Sequence, residues 1–151
     1  MANRLKGKAS VAIAWVCPNK LAAEAMREFL RAHLEWMQLK SYQDGPLKLI
    51  HYSISESPEY VHDDMAWGKG KYPETTGKTI FHLYEIYDNP EGLHHHWIEG
   101  ADFFPVLSEL LETHQIEEKV MNQMTVMQSL WDQIRLRSPW PLSSDRRGLV
   151  I

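Results

Sequence analysis

Four short stretches of the chain carry apolar patterns that are typical of β-strands. In the first, Val11 to Val16, residues of both parities are apolar, so both faces of that strand should be covered. The third, Thr79 to Tyr87, is the richest in β-branched and aromatic residues. Together these patterns predict strands near residues 10–17, 47–55, 79–87 and 120–131.

Two regions between the strands carry helical signals. Near residues 20–38 the apolar positions recur at a helical spacing, and Asn19 precedes them as a residue that favours the N-cap. The second region, near residues 90–115, begins after Asn89 and breaks near Gly100. The resulting order of elements is strand, helix, strand, strand, helix, strand.

This order predicts an α+β domain of the ferredoxin-like, split βαβ type. We expect an antiparallel four-stranded sheet with both helices on one face and with the first and third strands central. Residues 1–151 should form a single domain with a core over about 10–131 and a C-terminal arm over 134–151. The long connection Glu56–Lys78 has no period, and we interpret it as a lid over a pocket or as an arm that packs on a partner.

The helices of this arrangement cover one face of the sheet, yet the first strand is apolar on both faces. An uncovered apolar face of that size is unusual on a soluble monomer. We therefore expect a homodimer in which two copies of the chain pack sheet to sheet.

Composition narrows the classes of protein and of partner. A chain of 151 residues with 44% hydrophobic and 24% charged residues is globular, and its formal charge of −4 without a basic stripe argues against nucleic acid. The apolar stretch Ala9–Cys17 is too short to cross a bilayer, so we predict no membrane association. Cys17 is the only cysteine, which favours a reducing compartment and hence a cytoplasmic protein.

Several segments also resemble a known superfamily over about residues 10–131. The chain is similar to the dimeric α+β barrel proteins, within them to the antibiotic-biosynthesis-monooxygenase type, through the segments SVAIAWV, LAAEAMREFL, FHLYEIYDNPEGLHHHW and FFPVLSELL. The resemblance implies a cofactor-independent monooxygenase, or an isomerase, that acts on a hydrophobic aromatic compound. A helical histidine followed by an aromatic residue is part of the family pattern, and His95 or His96 with Phe103 or Phe104 occupies comparable places.

The resemblance leaves two other functions open. Haem binding and breakdown occur in this superfamily, and His96 would be the nearest axial-ligand candidate, although the first strand lacks the Asn of haem-degrading members. The other alternative is a ligand-binding or structural homodimer without catalysis. We predict no cofactor.

The candidate site residues are mainly histidines beside aromatic residues. His96 lies three residues after Leu93, so it should face inward as a general base or orienting donor, or as a packed, hydrogen-bonded residue. We predict two groups of site residues: His96, His82 and Tyr84 as catalytic, and His51, Trp97, Trp15 and Phe104 as substrate-binding.

The strand residues of this set depend on the register of the sheet. His82 and Tyr84 share one face of the third strand, and His51 lies on the second strand, so His51 and His82 could lie across from each other. Such sparse polar groups in an apolar wall are typical of a small-molecule pocket. Cross-strand hydrogen bonding, or a place in the dimer interface, is the other interpretation.

The sequence does not predict a metal site. Glu91, His95 and Glu99 share one helical face, but a solvated face is the more common meaning of that spacing. His33 falls on the buried side of the first helix, and we predict that it is a hydrogen-bonded core histidine.

Overall fold

The computed structural model describes residues 5–40, 45 and 47–127. The strands of this part are β1 (Ala9–Cys17), β2 (Leu49–Tyr60), β3 (Thr75–Tyr87) and β4 (Glu117–Thr125). The helices are α1 (Lys20–Leu39), α2 (Asp64–Gly68), α3 (Pro90–Glu99) and α4 (Phe103–His114). The described strands form one sheet in the order β2-β3-β1-β4, and every neighbouring pair is antiparallel. This is the predicted split βαβ topology, with β1 and β3 central.

Two asparagines set the starts of α1 and α3. The side-chain oxygen of Asn19 accepts a hydrogen bond from the backbone N–H of Ala22 at 3.0 Å, and Asn89 does the same for Gly92 at 2.9 Å. Both asparagines have the extended backbone of an N-cap, as the sequence predicted. The predicted break at Gly100 is also present, and it divides the second helical region into α3 and α4.

The hydrophobic core lies between the sheet and the helices α1, α3 and α4. Alternate residues of the two central strands point into it, and among the most completely buried of these are Val11, Trp15, Phe81 and Tyr87. Residues of the opposite parity, including Ala12, His82 and Tyr84, therefore lie on the other face of the sheet. No helix in the described ranges is both long and apolar enough to cross a membrane.

The connection Glu56–Lys78 extends the hairpin of β2 and β3 at both of its ends and contains α2 in its middle, so the interpretation of all of it as a connection between strands was wrong. β2 continues to Tyr60 and β3 begins at Thr75, with only α2 and its flanking turns between them. Pro58 and Gly77 interrupt the strand pattern, so the sequence did not indicate this pairing. β2 is at the edge of the sheet, where a proline is tolerated, and the register shifts between Pro58 and Tyr60.

The last strand differs from its predicted limits. β4 spans Glu117–Thr125 instead of residues 120–131, because α4 ends at His114 and the left-handed backbone of Gln115 turns the chain into the sheet at once. Residues 128–131 of the predicted strand and the predicted arm 134–151 lie outside the described residues.

Candidate functional site

A cavity lies between the sheet and the helices α1, α3 and α4. Its volume is about 50 Å³, which is room for roughly three to five water molecules. Most of its wall is apolar, and its aromatic rings come from Trp15, Phe29, Trp97, Phe103 and Phe104. The polar side chains that line it are His33, Glu85 and His96.

Three different elements bring these polar side chains together. His33 lies on the buried side of α1, three residues after Leu30, and His96 lies on the buried side of α3, three residues after Leu93. Glu85 lies on the helix-facing side of β3, between Leu83 and Tyr87 in the alternation of that strand. One nitrogen or oxygen atom from each of His33, Glu85 and His96 lies within 4.8 Å of the other two.

All three side chains are buried, and two of them have a polar atom without a hydrogen-bond partner among the described residues. The hydroxyl of Tyr87 donates to Oε2 of Glu85 at 2.9 Å, and Nδ1 of His33 shares a hydrogen bond with the hydroxyl of Tyr52 at 2.8 Å. Within the described part of the chain, Oε1 of Glu85 and Nδ1 of His96 have no hydrogen-bond partner. Most buried polar atoms in proteins have a hydrogen-bond partner, so two unpaired atoms in one cavity indicate a binding place for a ligand, an ion or a water.

Burial also sets the protonation of the three groups. It raises the pKa of the Glu85 carboxyl to about 7, against the hydrogen bond from Tyr87, which lowers that pKa. Burial lowers the pKa of His33 to about 4 and that of His96 to about 3, and the nearby charge of a protonated His33 lowers the latter further. Both imidazoles are therefore neutral at pH 7, and each offers one nitrogen lone pair.

Aromatic contacts hold the two imidazoles in place. The rings of His33 and His96 meet edge to face, with centroids 5.5 Å apart and an interplanar angle of 88°. Trp36 lies 5.4 Å from His96, and Phe103 lies 5.4 Å from His33. These ring contacts thus fix the orientation of the two imidazoles in the cavity.

Four of the predicted site residues line this cavity. They are His96, Trp97, Trp15 and Phe104. Trp15 is almost completely buried, and its indole N–H donates to Oε2 of Glu118 at 2.9 Å. Phe104 is 39% exposed, which places it at the mouth.

The other three predicted residues, His51, His82 and Tyr84, lie on the opposite face of the sheet and do not line this cavity. The ring of Tyr84 lies 5.9 Å from that of His51 and 6.4 Å from that of His82. His51 and His82 do not lie across from each other, since His51 pairs with Ile86 and His82 with Ser55. The hairpin fixes this register, because pairing continues along both strands to Tyr60 and Thr75.

Sequence reasoning missed Glu85 and the position of His33 beside it in the cavity. A signal for Glu85 was present, because an acid stands between Leu83 and Tyr87 on one face of the best-predicted strand. A carboxylate in such an apolar row needs a partner or a ligand. His33 was correctly predicted as buried and hydrogen-bonded, but no periodicity shows that it meets a strand residue and a residue of α3. Glu91, His95 and Glu99 are exposed, as predicted, and the side chain of Glu99 pairs with Lys40 at 2.7 Å.

Comparisons with known proteins concern the fold alone. No protein-family model matches the sequence, and a search of curated proteins finds no significant relative. Among solved structures, the chain is similar to a Deinococcus radiodurans protein provisionally named as an antibiotic biosynthesis monooxygenase. That match has 12% identity and a TM-score of 0.47, and covers 80% of this chain and 95% of that one. It is also similar to the de novo designed protein Foldit4, with 13% identity and a TM-score of 0.44 over 79% of this chain and 98% of the design.

The cavity does not fit haem, which the resemblance had left open. Sites for ligands of that size have volumes of several hundred cubic ångströms, whereas this cavity has about 50 Å³. The His96 ring is also enclosed by those of His33, Trp36 and Tyr87, all within 5.7 Å. An axial bond from His96 to a haem iron would require this packing to open.

Proposed function

We propose that the protein binds a small hydrophobic compound in the cavity between helices and sheet, and that the compound reacts at its polar end. The observation that carries this proposal is the pair of orphaned buried atoms, Oε1 of Glu85 and Nδ1 of His96, at one end of an apolar cavity. A compound with one hydroxyl group on an apolar body would satisfy both atoms, because its O–H donates to Oε1 of Glu85 and its oxygen accepts from an Nδ1–H of His96, and the apolar body would fill the rest of the space.

The shape of the cavity limits the compound. A volume of about 50 Å³ is less than one aromatic ring needs, so a ring enters only when the mouth opens. Phe104 supports such opening, because its side chain lines the cavity and is already 39% exposed. Phe29 and Phe103, which meet edge to face at 5.9 Å, would then contact the faces and edges of an aromatic guest.

The reaction that fits these groups best begins with a proton transfer to Glu85. A buried carboxylate can take a proton from a phenol or an activated CH₂ group, and the resulting anion is electron-rich. An oxygenase step follows when this anion reduces O₂. Either the activated CH₂ carbon or a ring C–H carbon of the phenol becomes a carbonyl. One oxygen atom stays on this carbon, and the other leaves as water with two hydrogens, which are those of the CH₂ group or those of the ring C–H and the phenol O–H. The substrate supplies all the electrons, and an isomerase would instead return the proton to another carbon.

A screen of small phenols and hydroquinones, each beside its analogue without hydroxyl groups, tests this proposal. We expect saturable binding of one compound per chain by calorimetry, and oxygen uptake or an isomerised product for the best binder. Glu85→Gln should lower turnover by about 100-fold or more, whereas Glu91→Gln, an exposed acid on α3, should leave it unchanged. Binding without preference for the hydroxyl compounds, or full turnover in Glu85→Gln, would overturn the assignment.

A further inference from the structure

We propose that His33, Glu85 and His96 form a binding site for one divalent first-row transition metal ion, of the Zn²⁺ or Fe²⁺ class. The proposal goes beyond the proposed function, because the ion would sit at the polar end of the same cavity and would take over the acid–base role that the proposed function gives to Glu85. The binding itself stands on geometry and can be measured without any organic compound.

The chemistry of the donors fits such an ion. Two imidazoles and one carboxylate are a ligand set that zinc and non-haem iron sites use. Their nearest ligand atoms lie within 4.8 Å of one another. Around a tetrahedral ion with bonds of 2.0–2.1 Å these atoms would stand about 3.4 Å apart, so small side-chain rotations would close the site.

The unpaired atoms are an independent indication of a ligand. Glu85 is 1% exposed and His96 is 8% exposed, yet each has a buried atom without a partner in the described residues. An ion bound between them would satisfy a carboxylate oxygen and an imidazole nitrogen together.

The partners of the ligands support the same assignment. Tyr87 holds one oxygen of Glu85, which leaves the other free, and Tyr52 contacts Nδ1 of His33. When Nδ1 carries the proton and donates it to Tyr52, the other nitrogen of His33 presents its lone pair. Outer hydrogen bonds of this kind orient ligands in known metal sites.

The size of the cavity is also in keeping with an ion. About 50 Å³ accommodates an ion with one or two waters, and the only movement needed is the rotation of the ligand side chains. Three protein ligands would leave a coordination position open towards the apolar part of the cavity. The ion, when bound, would act as a Lewis acid or lower the pKa of a bound water, and Glu85 would then serve as a ligand rather than as the proton acceptor.

The test uses the full chain without a purification tag, treated with EDTA and then dialysed. Zn²⁺ alone, and Co²⁺ alone as a spectroscopic substitute, are titrated by calorimetry and visible absorption. We expect one ion per chain, and X-ray absorption at the zinc edge should show two imidazole ligands. No binding, or a bound ion without histidine ligands, would overturn the proposal.

Matched variants assign the binding to the three residues. Glu85→Gln and His96→Gln should each weaken the Zn²⁺ affinity by about 100-fold or more. Glu91→Gln and His95→Gln, at exposed positions of α3, should stay within about threefold of the wild type. If all four variants lost Zn²⁺ affinity equally, or if none of them did, the ion would be bound elsewhere. If a buried variant does not fold, the count of imidazole ligands in the wild type decides the matter.

The metal proposal and the proposed function can fail separately. Zn²⁺ binding is measured without any phenol, and phenol binding is measured on the EDTA-treated chain. Metal binding without phenol binding would support the metal site and contradict the proposed function. Phenol binding without metal binding would do the reverse.

Discussion

Tyr87 donates a hydrogen bond of 2.9 Å to the carboxylate of Glu85, two residues before it on the same face of β3. Both side chains are almost completely buried, at 0% and 1% exposure. This bond is the one direct support of the Glu85 carboxylate that the described residues provide, since the other oxygen has no partner among them. The polar end of the cavity therefore depends on it.

Replacement of Tyr87 by phenylalanine should destabilise the protein by about 1–3 kcal/mol, because it leaves a second buried oxygen unpaired. The hydrogen bond lowers the pKa of Glu85, so its loss should raise that pKa and make the destabilisation larger at pH 8 than at pH 5. Urea unfolding at both pH values measures this. Tyr84→Phe, on the other face of β3, is the control and should change little. An equal cost of Tyr87→Phe at pH 5 and at pH 8 would contradict the account.

Glu85 should also make stability depend on pH. Below about pH 4.5 this carboxyl is protonated in both the folded and the unfolded chain, and burial raises its folded pKa to about 7. Between about pH 4.5 and pH 7 the unfolded chain loses this proton while the folded chain keeps it, so the free energy of unfolding falls as pH rises. Above about pH 7 it stays at the lower value. Glu85→Gln removes this effect, and its stability relative to the wild type should rise by up to about 3 kcal/mol from pH 4.5 to 7.

Unfolding is best measured in EDTA, so that no metal contributes. His33 and His96 are present in both proteins, so their own titrations cancel in the difference. Glu91→Gln provides the control for an exposed acid and should follow the wild-type pH profile. Parallel profiles for Glu85→Gln and the wild type would show that the carboxyl has an ordinary pKa.

Gly92 should tolerate no side chain, although it lies within α3. A Cβ there would lie 2.3 Å from the backbone oxygen of Leu47, so the chain would have to shift. Gly92→Ala should cost about 1–3 kcal/mol in thermal or urea unfolding. At Gly68 a Cβ would meet nothing within 4 Å, and Gly68→Ala should be neutral or gain up to about 1 kcal/mol. A stabilised Gly92→Ala variant would show that α3 does not pack this closely on the segment before β2.

The fold was largely predictable, because it depends on local sequence patterns. Helical spacing with Asn19 and Asn89 as caps determined two helices, and the order of elements determined the sheet. The hairpin was missed because Pro58 and Gly77 interrupt the strand pattern, and only the position of β2 at the edge of the sheet makes them acceptable.

The site was harder to predict, because it depends on which face of the sheet the helices cover. The parity of β3 was correct, with His82 and Tyr84 on one side. β1 is apolar on both sides, however, so its pattern could not show that the helices cover the Trp15 side. Glu85 and His33 meet through tertiary packing between β3 and α1, which no local period encodes.

The face of the sheet opposite the helices should pair with a second copy of the chain. It carries Ala12, Ala14 and Tyr84, all half-buried, and an exposed Met124. Light scattering at micromolar concentration should report about 35 kDa, twice the 17.6 kDa of one chain. Tyr84→Glu should reduce the mass to that of a monomer, whereas Ser57→Glu, exposed near the far end of the same face, should not. A monomeric wild type would contradict the expected dimer.

The most direct test of the proposed function is to map by NMR where the best-binding phenol or hydroquinone contacts the isotopically labelled protein. The account predicts that signals of His33, Glu85, His96 and Phe103 shift as the compound is added, while those of His51, His82 and Tyr84 on the other face stay in place. Shifts confined to His51, His82 and Tyr84, or no binding by any compound of the series, would contradict it.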